Sequence, residues 1–93
     1  MEIAVSTNVL NDIFGLNSKL HIPQKDSVGL KELFTLWTLE HGQKVLTRLF
    51  DGEKLRPEVI LLVNGKNISS LNGLDTEIHH GDRVAILTVI TGG

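Results

Sequence analysis

The chain has 93 residues, of which 41% are hydrophobic and 22% charged, the balance of one soluble domain with a modest core. A formal net charge of −2 offers no basic footprint for nucleic acid or an anionic membrane, no apolar run nears the ~20 residues that span a bilayer, and Met1-Glu2-Ile3-Ala4-Val5 lacks the basic segment of a secretory signal. Cysteine is absent, which excludes disulfides, thiolate metal sites, cysteine nucleophiles and sulfur carried on a side-chain thiol, and fits a cytoplasmic protein.

In chain order, Glu2 to Ser6 reads as a first strand. Val9, Leu10, Ile13 and Phe14 then fall at helical spacing and Gly15 closes a short turn. Lys19 to Pro23 alternates polar and apolar residues, a second strand placed at an edge because proline donates nothing to a ladder. Asp26-Ser27 offers an N-cap, and Leu30, Leu33, Phe34 and Trp37 mark an amphipathic helix over Ser27 to His41, with Leu36 and Leu39 widening its stripe and Gly42 ending it. Val45, Leu46 and Leu49 suggest a second short helix, followed by a turn at Asp51-Gly52. Val59 to Val63 is a continuous apolar strand, expected to be buried on both faces or nearly so. Asn64-Gly65 is a type I′ hairpin signal and Lys66 to Ile68 the return strand. Leu71 to Ile78 reads as irregular, with Leu74 and Ile78 as plugs. His80-Gly81-Asp82 turns the chain into a last strand from Arg83 to Ile90.

This order predicts an N-terminal hairpin and one main helix packed across a mixed sheet, with the final strand in the middle. Phe34 and Trp37 belong to the helix stripe and hence to the core. His79-His80 read as a solvated turn, and no metal site is expected. Lys19, Lys25, Lys31, Lys44, Lys54 and Lys66 read as solvated surface. An apolar docking patch is expected on the sheet face away from the helix, formed by Leu61 and Val63 or by Leu62, Val84 and Ile86. Alternation separates Ile60 and Leu62 from Leu61 and Val63 but does not say which pair faces the helix.

The sequence ends Ile90-Thr91-Gly92-Gly93 directly after that last strand. Glycine is a poor anchor for a chain end and a good one for threading a narrow channel. A flexible tail is therefore expected from about residue 89 to 93, on a single domain spanning 1–93. About five residues at ~3.3 Å each reach on the order of 16 Å.

The element order, the Val63-Asn64-Gly65 hairpin, the Leu74-Asp75 to Ile78 plug, Gly81-Asp82 and the closing Gly92-Gly93 together resemble the β-grasp, ubiquitin-like fold. The fold class so implied is α+β, with a mixed sheet of four to five strands and one main helix on one face. Within it the chain resembles the sulfur carriers, with the closest likeness to the molybdopterin synthase small subunit (the MoaD-like group). Near relatives are the thiamine-pathway carriers (ThiS), the ubiquitin-related modifier and the archaeal small modifier proteins. Val89-Ile90-Thr91 stand where ubiquitin has arginines, and Leu87-Thr88-Val89 where many molybdopterin synthase small subunits have a proline pair or Pro-Val.

The resemblance implies that Gly93 is the reactive residue, with Gly92 and Thr91 entering a partner's active site. A free α-carboxylate, with a pKa of roughly 3.3–3.7, is ionised at neutral pH and a poor electrophile. The family's solution is adenylylation by a ubiquitin-activating-enzyme-like adenylyltransferase that uses ATP, followed by conversion to a thiocarboxylate. The chain itself is then no enzyme and holds no stable cofactor. Its sulfur would pass to a partner such as the molybdopterin synthase large subunit. Sulfur transfer to tRNA, or isopeptide formation from Gly93 as a protein modifier, are alternatives, and a plain β-grasp interaction domain is another. No triad, paired carboxylate or phosphate loop suggests catalysis by the body of the domain.

Overall fold

A computed structural model of the chain describes residues 1–23 and 25–89. Thr91, Gly92 and Gly93, the site residues expected from the sequence, lie outside the described residues, as do Gln24 and Ile90.

The elements follow in chain order as β1 (Glu2–Thr7), α1 (Asn11–Phe14), β2 (Asn17–His21), β3 (Ser27–Gly29), α2 (Leu30–His41), α3 (Lys44–Leu49), β4 (Phe50–Asp51), β5 (Lys54–Leu55), β6 (Val59–Val63), β7 (Lys66–Asn67), β8 (Glu77–His79) and β9 (Arg83–Thr88). Single 3-10 turns at Ile68–Ser70 and Gly73–Asp75 carry the chain from β7 to β8. A five-stranded mixed sheet runs β2-β1-β9-β6-β7, with β3 paired to β8 and β4 to β5 in two small ladders. β9 sits at the centre, parallel to β1 and antiparallel to β6.

Alternation on the three central strands builds the core. Ile3 and Val5 of β1, Val84 and Ile86 of β9, and Val59, Leu61 and Val63 of β6 are all buried. They join Leu30, Leu33, Phe34 and Trp37 of α2 in one hydrophobic cluster. The α2 stripe is aromatic at its heart: Trp37 lies with ring centroids 4.8 Å from Phe14 of α1 and 5.8 Å from Phe34. Ile78, which lies in β8 and not in an irregular stretch, and Leu10, just before α1, are both 0% exposed and complete the cluster.

Three expectations need correction. The main helix starts at Leu30, not Ser27, and neither Asp26 nor Ser27 caps it. Its cap residue is Gly29, extended at φ −69° and ψ 150°, with no side-chain cap bond. Val28 is buried, so this stretch is held as a strand, with Val28 opposite Ile78, and the Leu30 N–H donates to the Thr76 carbonyl at 3.0 Å. Leu39 does not widen the stripe. At 80% exposed it is among the most open apolar residues, because 100° per residue carries it half a turn from Leu30. β6 is buried on one face only, since Ile60 and Leu62 are half-buried.

At one end of the molecule Arg48 of α3 ties down α1. Its guanidinium meets Asp12 in a two-point pair, with Nη2 to Oδ2 at 3.0 Å, and also donates to the Val9 carbonyl at 3.2 Å. The Arg48 hydrogen bond holds the Asp12 carboxyl below its usual range.

Leu33 is 0% exposed, so Leu33→Ala should cost about 2–5 kcal/mol in denaturant melts. A loss under about 0.5 kcal/mol, the size of a surface change, would break the helix register. Because the Asp12 pKa is depressed on folding, its stabilising contribution is present above the unfolded value and lost as pH falls through the folded one. The stability gap between the native chain and Asp12→Asn should therefore be open at neutral pH and close in acid, as pH-dependent melts would show.

Candidate functional site

The site is where β9 leaves the sheet, together with the sheet face that α2 does not cover. On that open face Leu62 stands opposite Ala85 and Ile60 opposite Leu87, all four half-buried. Val89, the next residue out from Leu87 on that face, is 50% exposed. Ser6 lies beside Ala85 across the parallel pair. Ser6, Leu62, Arg83 and Ala85 line a shallow depression of about 250 Å³. This is an apolar strip running along the sheet toward Val89.

The patch expected from the sequence is thus only partly right. Leu62 lies on the open face, as does Ile60. Leu61, Val63, Val84 and Ile86 face the helix and are 1%, 5%, 1% and 0% exposed. Ala85 and Leu87 were missing from the expectation. The registers Leu62 opposite Ala85 and Leu61 opposite Ile86 decide the matter, and a period of two gives no absolute phase until the helix has chosen a side.

A polar latch sets the far end of the strip. Asn64 is the one non-glycine residue with positive φ among those described, at 52°, and Gly65 follows at 82°, the backbone that the Asn-Gly pair predicts. The Asn64 side chain accepts the Arg83 N–H at 2.9 Å and donates to Asp82 Oδ1 at 3.0 Å. The other Asp82 oxygen accepts the His79 N–H at 2.8 Å. The hairpin and the Gly-Asp turn, so far apart in sequence, are therefore one device that fixes the start of β9. His80 adds to it by accepting the Glu2 N–H at Nδ1, 2.9 Å away. Among the described residues no three His, Asp or Glu side chains gather as a metal site, and no helix is long and apolar enough to cross a membrane.

At the other end, β9 is held on both sides. The Val89 N–H donates to the Glu58 carbonyl at 2.9 Å, and Thr88 is bonded through both its N–H and its carbonyl to the Asn8 side chain. Neither Glu58 nor Asn8 was singled out from the sequence. The parallel β1–β9 pairing would have placed Asn8 there, had it been known. The described geometry ends at Val89, just short of Thr91, Gly92 and Gly93.

The described residues form a β-grasp domain with an apolar strip open along one face of its central strand. The ThiS family profile matches residues 9–93, and the chain belongs to the ThiS family. It is 43% identical over 51 residues to a candidate sulfur carrier protein of Archaeoglobus fulgidus, a match over 55% of this chain and 54%, or about half, of that relative's length. Among solved structures it is similar to Mycobacterium tuberculosis CysO, 25% identical with a TM-score of 0.72 over 95% of this chain and 99% of that one. A chain of the Amycolatopsis orientalis BexX/CysO complex superposes with a TM-score of 0.75 at 24% identity, covering 98% and 99% of the two chains. Trypanosoma brucei Urm1 does so with 0.72 at 24% identity, covering 99% and 95%. The last two likenesses speak to the fold, which they establish as β-grasp.

Removing the latch should be measurable. Asp82→Ala deletes the acceptor for both the His79 N–H and the Asn64 amide and should cost about 1–2 kcal/mol, whereas Asp82→Asn, which keeps one acceptor oxygen and turns an NH2 toward the other donor, should recover only part of it.

Proposed function

We propose that this protein carries sulfur as a thiocarboxylate on Gly93. The observation that bears most weight is the match of the ThiS family profile, which runs to residue 93. Two features of the chain support the same chemistry. With no cysteine, no side-chain thiol is available to hold sulfur. The apolar strip of Ile60, Leu62, Ala85 and Leu87 leads to Val89, so a partner docked on it would meet the outgoing chain.

The reaction has two balanced steps. A carboxylate oxygen of Gly93 attacks the α-phosphorus of ATP on an activating enzyme, forming an acyl-adenylate and releasing pyrophosphate. A sulfide-level nucleophile then adds to the acyl carbon and expels AMP, leaving a thiocarboxylate. Gly92 and Gly93 lack Cβ atoms, so the acyl carbon is open to attack and the segment suits a narrow channel. Thr91 and Gly92 are the residues that enter it. The body of the domain binds and positions. ATP and the catalytic groups belong to the partner, a ubiquitin-activating-enzyme-like adenylyltransferase acting in the cytoplasm.

For the acceptor of the sulfur, the reading carried from the sequence is a molybdopterin precursor bound to a molybdopterin synthase large subunit. Thiolation of tRNA, or an isopeptide from Gly93 to a target lysine, uses the same activated end. Intact mass after incubation with the activating enzyme and each acceptor separates them: a thiocarboxylate adds about 16 Da localised to Gly93, consumed by one acceptor only, whereas a modifier yields whole-protein adducts.

Deleting Gly93, or adding one residue after it, should abolish ATP–pyrophosphate exchange by the activating enzyme while the melting temperature stays nearly unchanged. One residue moves the carboxylate by roughly 3.3 Å, and an error of even ~1 Å can cost about 100-fold in rate. Equal exchange by the native and the deleted chain would defeat the carrier reading and leave a plain interaction domain.

A further inference from the structure

Thr88 closes β9, and its peptide groups are gripped from the β1 side by a single side chain. Asn8 donates from Nδ2 to the Thr88 carbonyl at 3.1 Å and accepts the Thr88 N–H at Oδ1 at 2.8 Å. These two partners fix which end of the amide is oxygen, since the reverse would set donor against donor. The β1–β9 ladder itself runs from Ala4 beside Arg83 to Thr7 beside Ile86. Asn8 thus extends it by one side chain after the backbone of β1 has begun to turn.

The turn that presents Asn8 is firmly held. The buried Thr7 hydroxyl accepts the Val9 N–H at 3.2 Å and the Leu10 N–H at 3.0 Å. Leu10 is sunk in the core at 0% exposure, and Arg48 holds the Val9 carbonyl. Asn8 itself is exposed, so water can replace its bonds and its share of global stability is small. Its effect is local: together with the Glu58 carbonyl, which accepts the Val89 N–H at 2.9 Å from the β6 side, it holds the last peptides of β9 in the sheet.

We infer that Asn8 is a positioning residue that fixes where the C-terminal segment departs from the domain, and hence how far Gly93 reaches into the activating enzyme. This rests on the carrier reading above. When the domain docks, the distance from its surface to the ATP α-phosphorus is set by the partner. A strand end held at Thr88 by Asn8 and at Val89 by the Glu58 carbonyl gives one distance from body to carboxylate. Fraying of about two residues lengthens it by ~7 Å, lowering the effective concentration of the carboxylate at phosphorus. The loss falls on the chemical step and leaves docking of the body untouched.

The test uses the full chain and the variants Asn8→Ala and Asn8→Asp, well below every melting temperature, with the activating enzyme from the same organism. Asp keeps the acceptor for the Thr88 N–H and loses the donor to its carbonyl. Amide exchange at Thr88 should quicken in Asn8→Ala, and single-turnover adenylylation should slow by about tenfold, within the range of positioning errors. The dissociation constant of the docked body should hold within about twofold, since the substitution removes no docking contact. Asn8→Asp should fall between in exchange and in rate. Adenylylation at the native rate by Asn8→Ala, or unchanged Thr88 exchange, overturns the role of Asn8 while the Gly93 requirement stands. Weaker docking at an unchanged single-turnover rate makes Asn8 a contact rather than a positioning residue and overturns it too. If the native chain itself shows no Gly93-dependent adenylylation, the carrier reading falls and this inference with it.

Discussion

The parallel pairing of β1 with β9 is the constraint on which the rest of the molecule depends. It brings the first and last strands side by side at the centre of the sheet, Val5 against Val84 and Thr7 against Ile86. β6 then closes on the other flank of β9, with Leu61 against Ile86. The residues that β1, β6 and β9 turn toward α2 supply the sheet's half of the core, and only this strand order assembles them. Parallel neighbours cannot be joined by a tight turn, so everything between β1 and β9 serves as their crossover.

That arrangement divides β9 between a buried face and an open face across the thickness of one sheet. Val84 and Ile86 of β9 are locked against the helix, while Ala85 and Leu87, alternating with them, lie half open on the far side. Each end of β9 is secured by polar groups rather than by packing. Asn64 and Asp82 hold its start, and Asn8 and the Glu58 carbonyl hold its finish. Polar pairing demands defined geometry where apolar packing tolerates slippage, so both ends of β9 are fixed in register.

What could be read from the sequence was what is local. The periodic α2 stripe of Leu30, Leu33, Phe34 and Trp37, the Asn64-Gly65 turn and the first strand from Glu2 are set by neighbours within a few residues, and all are found. β3, β8, β4 and β5, of two or three residues each, carry no period of their own and exist only because a distant partner pairs with them. The helix start was misplaced for this reason: Ser27 and Asp26 offer good capping chemistry, but the pairing of Val28 with Ile78 outweighs it. The open face could not be assigned because alternation is symmetric until tertiary packing breaks it. Asn8 was overlooked because an asparagine after a strand ordinarily marks a turn, and its partner is 80 positions away.

The place of β9 in the sheet has a consequence for how the protein is made. β9 is the last of the described strands to emerge from the ribosome, yet it is the one that both β1 and β6 must flank. Until it arrives, those two strands have unpaired inner edges, and α2 has only part of a sheet to cover. Closure across so long a stretch of chain is costly in entropy and comes late in folding. The domain therefore completes itself around the strand that leads to its C-terminus. A nascent or truncated chain lacking β9 offers sticky edges for chaperones and proteases, and no finished sheet face. Quality control is thereby built into strand order: the open face of the sheet exists only in molecules whose core has already closed.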